Sequence, residues 1–149
     1  MTDTVISAAI YLHVISLALW FGGLFGYLFM VWPAIMSHAD GSFPRDVLVT
    51  IAIRTAPWIY LAMASAVASF LLIWLMGGVA VRAPWMVVAY GLLLIGLVAN
   101  NVYGTFVAWP RIMWLDDPDA IREWFWFRVR MSVSLAVGLA LYSVAVITT

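Results

Sequence analysis

The chain has 149 residues, of which 66% are hydrophobic and only 9% are charged, and its formal net charge at pH 7 is zero. A soluble domain is about half apolar and about a quarter charged, so this composition indicates an integral membrane protein. With a net charge of zero, the chain lacks the excess of basic residues that is typical of nucleic-acid-binding proteins. Because the chain contains no cysteine, disulfides, thiolate metal sites and thiol redox chemistry are excluded.

Four apolar segments are long enough to cross a membrane, which takes about 20 residues of helix. They lie at roughly 5–33, 55–77, 84–113 and 125–148. The predicted fold is therefore all-α, an integral membrane four-helix bundle that forms one transmembrane domain over 1–149.

The arginines predict the orientation of this bundle. Six of the seven flank the first and third connections, and only Arg82 belongs to the second. The positive-inside rule then places the N- and C-termini on the non-cytoplasmic side of a multi-pass protein, which we expect in a bacterial inner (cytoplasmic) membrane.

The tryptophans predict two aromatic belts at the membrane boundaries. Trp74 and Trp85 fall at one boundary, and a larger group falls at the other. That group comprises Trp32, Trp58, Trp109, Trp114, Trp124 and Trp126. Trp20 lies near mid-span instead, so we expect it to pack inside the bundle.

An offset of 77 residues relates the ends of the first and third spans, which read VWPAIM and AWPRIM. Six identities share this register: Trp32/Trp109, Pro33/Pro110, Ile35/Ile112, Met36/Met113, Asp40/Asp117 and Arg45/Arg122. The register predicts two duplicated helical hairpins in the same orientation. The alternative is that Trp-Pro is simply good interface chemistry, an aromatic anchor followed by a helix stop. In this register His13 pairs with Tyr90, and Gly23 with Asn100, so the two halves have diverged at positions that could hold a ligand, and Tyr90 is a candidate for cofactor binding.

His13 is the side chain within the spans that titrates near neutral pH. Its helical face also carries Ser16, Trp20, Gly23 and Tyr27. A stripe of small, polar and aromatic residues predicts contact with other helices rather than with lipid. An ionisable residue at such depth is a functional-site hypothesis, and a neutral imidazole can bind haem iron. The alternative is a structural hydrogen bond across the bundle to Tyr90, Asn100 or Asn101.

Four further polar residues are candidates for binding a cofactor. Asn100 and Asn101 are adjacent amides within the third span, and they are predicted either to bind a ligand carbonyl or headgroup or to join helices. Arg54 and Arg128 lie where the second and fourth spans leave the membrane. They are predicted to reach lipid phosphates, or alternatively to bind haem propionates or a quinone headgroup.

Copper is an alternative metal, because the thioether sulfur of methionine is a soft ligand for copper(I). The chain contains eight methionines, but no two of those after the initiator are three or four residues apart. A copper site would therefore rest on His13 with a distant methionine.

The segment HVISLALWFGGLF, which begins at His13, resembles the first-helix signature of a loose superfamily of bacterial membrane proteins with four to five helices. It is similar to the HemJ-type protoporphyrinogen oxidases, whose first helix carries a histidine, a tryptophan seven residues on and then Phe-x-Gly-Leu-Phe. It also resembles the copper-resistance D (CopD) family. NNVYGTFVAWPRI and FRVRMSVS are similar to later segments of the membrane domain of the cytochrome-c-linked urate oxidases. The resemblance implies haem or redox binding by His13, with Trp20 and Gly23 shaping the pocket. The HemJ-type enzymes also rely on a lysine in a later helix, and this chain contains no lysine.

We therefore expect a small integral membrane subunit of a redox or electron-transfer complex, with b-type haem bound through His13. Three alternatives are a haem-dependent porphyrinogen oxidase, a copper transport or resistance protein, and a structural subunit without a cofactor. A non-catalytic or redox subunit is favoured over a stand-alone enzyme. The expected partners are the lipid bilayer and either other membrane subunits or further copies of the chain. We expect Gly22, Gly23 and Gly26 to permit close helix contact.

Overall fold

Four long helices make up the part of the chain that the computed structural model describes, residues 2–37, 42–76 and 84–147, and no strand occurs there. Helix α1 comprises Thr2–Gly26, a π-helical turn Tyr27–Val31 and Trp32–Met36, and α2 is Arg45–Leu75. Helix α3 comprises Pro84–Tyr103, a π-helical turn Gly104–Ala108 and Trp109–Met113, and α4 is Asp117–Ile147. The predicted all-α four-helix bundle is confirmed. His38, Asp40 and Arg82, and the predicted span ends at 77 and 148, lie outside the described residues.

All four helices are long and apolar enough to cross a membrane. Their outer surface is apolar as well: Leu12, Ile53 and Leu92, for example, are exposed on α1, α2 and α3. An exposed apolar surface of this extent is stable only in lipid, where a helix satisfies its own backbone hydrogen bonds. The chain is therefore a multi-pass membrane protein in a lipid bilayer.

Helices α2 and α4 begin well before the predicted spans at 55 and 125. The prediction counted apolar residues, whereas a helix also forms over a polar first turn. Asp46 lies in the first turn of α2, and Asp117 and Asp119 lie in that of α4. Carboxylates there stabilise the positive end of the helix dipole, so both helices extend beyond the hydrocarbon.

The helices pack in the cyclic order α1, α2, α3, α4, with the most extensive contact between α1 and α2. The main core contains Leu17, Trp20 and Phe21 of α1. Trp20 is 1% exposed, so its predicted place inside the bundle is confirmed. Phe21 lies directly over Gly138 of α4, where a Cβ atom would come within 2.1 Å of the ring.

A second core lies where α1 and α3 end and α2 and α4 begin, which we call the Trp-rich end. It contains Trp32, Phe43, Leu48, Ile112, Ala120 and Trp124. Trp32 and Trp124 are only 5% and 2% exposed, so these two side chains pack inside the bundle, and their predicted depth at a membrane boundary stays a prediction. The helix ends extend far enough to pack on one another, and the two indoles meet there with centroids 4.6 Å apart.

The two π-helical turns are related by the same 77-residue offset as the sequence identities. Each precedes a proline, Pro33 or Pro110, which lacks an N–H and whose ring clashes with the carbonyl four residues earlier. A π turn widens the helix and accommodates this clash. The helices consequently continue to Met36 and Met113, so Trp-Pro is not a helix stop. This shared irregularity supports the predicted duplication.

Arg45 connects the two hairpins at the Trp-rich end. Its guanidinium donates to the carbonyls of Met113 and Leu115 and forms an ion pair with Asp117. These acceptors lie in the connection between α3 and α4, while Arg45 begins α2. The contact therefore holds the start of α2, the second helix of the first hairpin, against the second hairpin.

Candidate functional site

His13 is 5% exposed and faces the interior of the bundle. Its Nδ1 lies 2.9 Å from the carbonyl oxygen of Ala66, and its Nε2 lies 2.6 Å from the hydroxyl of Tyr90. A carbonyl can only accept, so Nδ1 carries the proton and donates it, and Nε2 accepts from the Tyr90 hydroxyl. The imidazole is thus a neutral ring with both nitrogens bonded to protein.

The His13–Tyr90 bond joins two positions that are equivalent in the repeat, 77 residues apart. This bond therefore joins the first helix of one hairpin to the first helix of the other. Phe70 of α2 packs beside both rings, with centroids 6.2 Å from His13 and 5.3 Å from Tyr90. The structural alternative for His13, a hydrogen bond across the bundle, is the arrangement present.

This geometry does not fit a haem held by His13. An axial ligand must offer a free nitrogen lone pair to the iron, and the Nε2 lone pair already accepts from Tyr90. The bundle contains a cleft nearer its Trp-rich end, and neither His13 nor Trp20 lines it. Among the described residues there is also no group of three or more His, Cys, Asp or Glu side chains that could hold a metal ion. Haem or copper at His13 would require Tyr90 to move, and both stay predictions.

A cleft of about 630 Å³ lies between α1, α2 and α3, with Phe127 and Met131 of α4 at its inner wall, closer to the Trp-rich end than His13 is. Its walls include small residues of two helices, Gly22, Gly23 and Gly26 on α1 with Ala52 and Ala56 on α2. A Cβ atom built on any of the three glycines meets nothing within 4 Å. No helix of this chain therefore packs closely on these glycines, which border open space, and their contact with a helix of another chain stays a prediction.

Among the polar groups that line this cleft, two without a hydrogen-bond partner in the described part of the chain are the Tyr60 hydroxyl and the Asn101 amide. The Tyr60 hydroxyl is buried and unpaired, and Tyr60 lines the cleft. Asn101 lines it too, is 7% exposed, and makes no side-chain hydrogen bond in the described part of the chain. The hydroxyl of Thr55, by contrast, donates to the Ile51 carbonyl. Unpaired polar groups inside a bundle cost free energy, so these two require an explanation.

The neighbouring amide Asn100 has a different role. Its Nδ2 donates to the hydroxyl of Ser134 over 2.7 Å and lies 3.8 Å from the sulfur of Met131. Both partners belong to α4, so Asn100 joins α3 to α4. Of the two amides predicted as candidate site residues, Asn100 joins two helices, and Asn101 is available to a ligand.

The predicted arginines do not enter the cleft. Arg54 is exposed on α2. The guanidinium of Arg128 lies 3.5 Å from the Leu28 carbonyl oxygen and 5.6 Å from the Trp32 ring. Arg130 similarly lies 4.6 Å from the centre of the Tyr103 ring. Neither Arg128 nor Arg130 forms an ion pair with a described carboxylate, so aromatic faces stabilise these two cations.

Tyr60 and the small residues of α2 were not among the predicted site residues. Ala52 and Ala56 are four residues apart and therefore share a helical face, which was the available signal. The sequence contained no comparable signal for Tyr60, since a tyrosine near a membrane boundary is also typical of an interfacial belt.

Comparison of the chain with protein-family models, with curated proteins and with solved structures returned no match. The resemblance to the HemJ-type oxidases, the CopD family and the urate oxidase membrane domain therefore stays a prediction.

Proposed function

We propose that this chain is a small integral membrane subunit that holds a lipophilic ligand in the cleft between α1, α2 and α3 and serves a membrane redox or electron-transfer complex. The cleft is the observation that carries the proposal. Its volume of about 630 Å³ is in the range of about 300–1,000 Å³ typical of ligand sites, and such sites combine apolar walls with few polar groups.

The chain's environment and partners complete this proposal. The protein lies in a bacterial inner membrane with both termini on the non-cytoplasmic side, as the arginine distribution favours. Other membrane subunits, or further copies of the chain, contact its exposed helix faces. In this proposal catalysis belongs to those partners, and the cleft of this chain binds the ligand.

In this proposal His13 stabilises the bundle instead of binding iron. A mild-detergent preparation of the wild-type protein then shows no Soret band. A Soret band that disappears in His13→Ala would instead establish haem ligation and require Tyr90 to release Nε2.

The cleft itself is tested by filling it. Gly23→Leu places a side chain in the cleft without a clash, because nothing lies within 4 Å of the Cβ position. Gly96→Leu is the matched control, since Gly96 is exposed on α3 and equally free of neighbours. We expect organic extraction and mass spectrometry to recover a stoichiometric lipophilic molecule from wild type and Gly96→Leu, and much less from Gly23→Leu. Equal recovery from all three would contradict the proposal.

A further inference from the structure

We infer that the ligand of this cleft is an isoprenoid quinone, whose ring carbonyls accept hydrogen bonds from the Tyr60 hydroxyl and the Asn101 amide. This inference rests on the proposed function and names the ligand class of the same site. Four observations lead to it: the unpaired donors, the absence of charge, the aromatic and glycine walls, and the position of the mouth.

The unpaired polar groups require an acceptor. A tyrosine hydroxyl and an asparagine NH₂ both donate, and in this bundle the hydroxyl of Tyr60 is buried without a partner. A hydrocarbon chain would leave both donors unsatisfied in an apolar surrounding, which is costly. A ligand with carbonyl oxygens on a flat ring satisfies them.

The lining of the cleft is uncharged. None of its residues is Asp, Glu, His, Lys or Arg, and the nearby cations Arg128 and Arg130 are directed at aromatic rings instead. No cation lines the cleft itself, and the nearest one, the buried guanidinium of Arg130, lies behind Gly104, 3.7 Å from the Cβ position there. An uncharged lining favours a neutral headgroup over a phosphate or carboxylate, because a buried charge needs a direct partner.

The shape of the cleft suits a flat ring. Tyr27, Trp109 and Phe127 supply aromatic walls, and rings pack well against rings in offset or edge arrangements. Gly23 and Gly26 leave the backbone of α1 bare on the facing side. A planar headgroup can thus lie against the helix where a side chain would otherwise exclude it.

The mouth of the cleft faces the surrounding lipid. Leu19 and Trp58 line the cleft and are 65% and 72% exposed on the apolar surface of the bundle. An isoprenoid tail can therefore leave the cleft into the bilayer while the headgroup stays inside. A ligand that diffuses in the membrane can enter by the same route.

Quenching of tryptophan fluorescence in the detergent-purified full chain tests this inference, because Trp58 and Trp109 line the cleft. A benzoquinone with a decyl tail is the headgroup probe, and 1-bromodecane is the tail-only probe. We expect saturable quenching by the quinone at concentrations at which bromodecane quenches only weakly. Tyr60→Phe and Asn101→Leu should each weaken quinone binding about tenfold, the effect of losing one hydrogen bond of about 1.4 kcal/mol. Neither substitution should alter quenching by bromodecane.

Two variants separate failure of this inference from failure of the proposed function. Gly23→Leu should abolish saturable quenching by both probes, whereas Gly96→Leu should behave as wild type. If both probes bind equally and neither Tyr60→Phe nor Asn101→Leu changes quinone binding, the quinone inference is overturned and the apolar site stands. If neither probe quenches saturably in wild type, the proposed function fails as well. Circular dichroism of each variant confirms that it is folded before the comparison is made.

Discussion

At the scale of single residues, two sets of polar side chains inside the bundle differ in their hydrogen bonding. The polar atoms of the first set all have partners, and those of the second set do not. His13 uses both ring nitrogens, one on the Ala66 carbonyl and one on the Tyr90 hydroxyl. Tyr60 and Asn101, two to three helical turns closer to the Trp-rich end, have polar groups without partners. The first set stabilises the fold, and the second set is the one for which we propose a ligand.

The His13–Tyr90 bond can be measured by a double-mutant cycle. We expect His13→Ala and Tyr90→Phe each to lower the free energy of unfolding in detergent. Their effects should be non-additive by about 0.6–1.7 kcal/mol, the coupling typical of side-chain hydrogen bonds in membrane proteins. Additive losses would show that the two side chains do not interact. Asn100→Ala with Ser134→Ala is a second pair for comparison, because those side chains also bond across helices over 2.7 Å.

Sequence reasoning succeeded at the residue scale where a position had a strong physical constraint. An imidazole deep in a span has to face other helices, and His13 does. Its partner Tyr90 appeared as one alternative through the repeat register. The cleft could not be predicted, because it depends on the distance between α1 and α2, and glycines predict close contact and open space equally well.

At the scale of elements, small departures from regular helices determine which surfaces meet. The π turns before Pro33 and Pro110 allow the helices to continue into the Trp-rich end, where a stop was the alternative predicted. The four spans were predictable from apolar length alone. The start of α4 was predictable as well, because Asp117-Pro118 is a favourable pair for the N-cap and first positions of a helix. The start of α2 was not, since its charged first turn has no apolar signal and forms through packing and helix-dipole contacts.

Gly138 lies at a contact between α4 and α1 that a single added methyl group would disrupt. A Cβ atom there would lie 2.1 Å from the ring of Phe21, so Gly138→Ala forces α1 and α4 apart or displaces the ring. We expect it to lower the free energy of unfolding by about 1–3 kcal/mol, as overpacked cores do. Chemical denaturation in detergent measures this.

The control for this contact is Gly96→Ala, where nothing lies within 4 Å of the added atom and stability should be unchanged. Phe21→Leu combined with Gly138→Ala should be more stable than Gly138→Ala alone, because the smaller side chain relieves the clash. The packing of α1 on α4 would need revision if the double variant were less stable than the single one.

At the scale of the whole molecule, the two hairpins are joined by the His13–Tyr90 bond and by Arg45. The guanidinium of Arg45 reaches two carbonyls and Asp117 at once, which a lysine ammonium cannot do with the same geometry. We expect Arg45→Met to lower the melting temperature in detergent and Arg45→Lys to restore only part of the loss. Arg54→Met is the matched control, because Arg54 is exposed on the same helix. Equal melting temperatures for Arg45→Met and Arg54→Met would contradict a role for Arg45 in joining the hairpins.

Membrane orientation is tested with single cysteines, since the natural chain has none. Asp3→Cys lies at the end of α1 that the positive-inside rule assigns to the non-cytoplasmic side, and Ser37→Cys lies at the opposite end. We expect a membrane-impermeant maleimide to label Asp3→Cys in spheroplasts and to label Ser37→Cys only after permeabilisation. The reverse pattern would invert the proposed topology.

The central claim is that the ligand of this bundle occupies the cleft beside Gly23 and Asn101, while His13 serves the fold. An experimental density map of the protein purified from its native membrane tests it most directly. We expect density for a flat headgroup between Gly23, Tyr60 and Asn101, with Nε2 of His13 still within hydrogen-bond distance of the Tyr90 hydroxyl. A planar macrocycle or a metal bound to Nε2 of His13, with Tyr90 turned away, would contradict the claim.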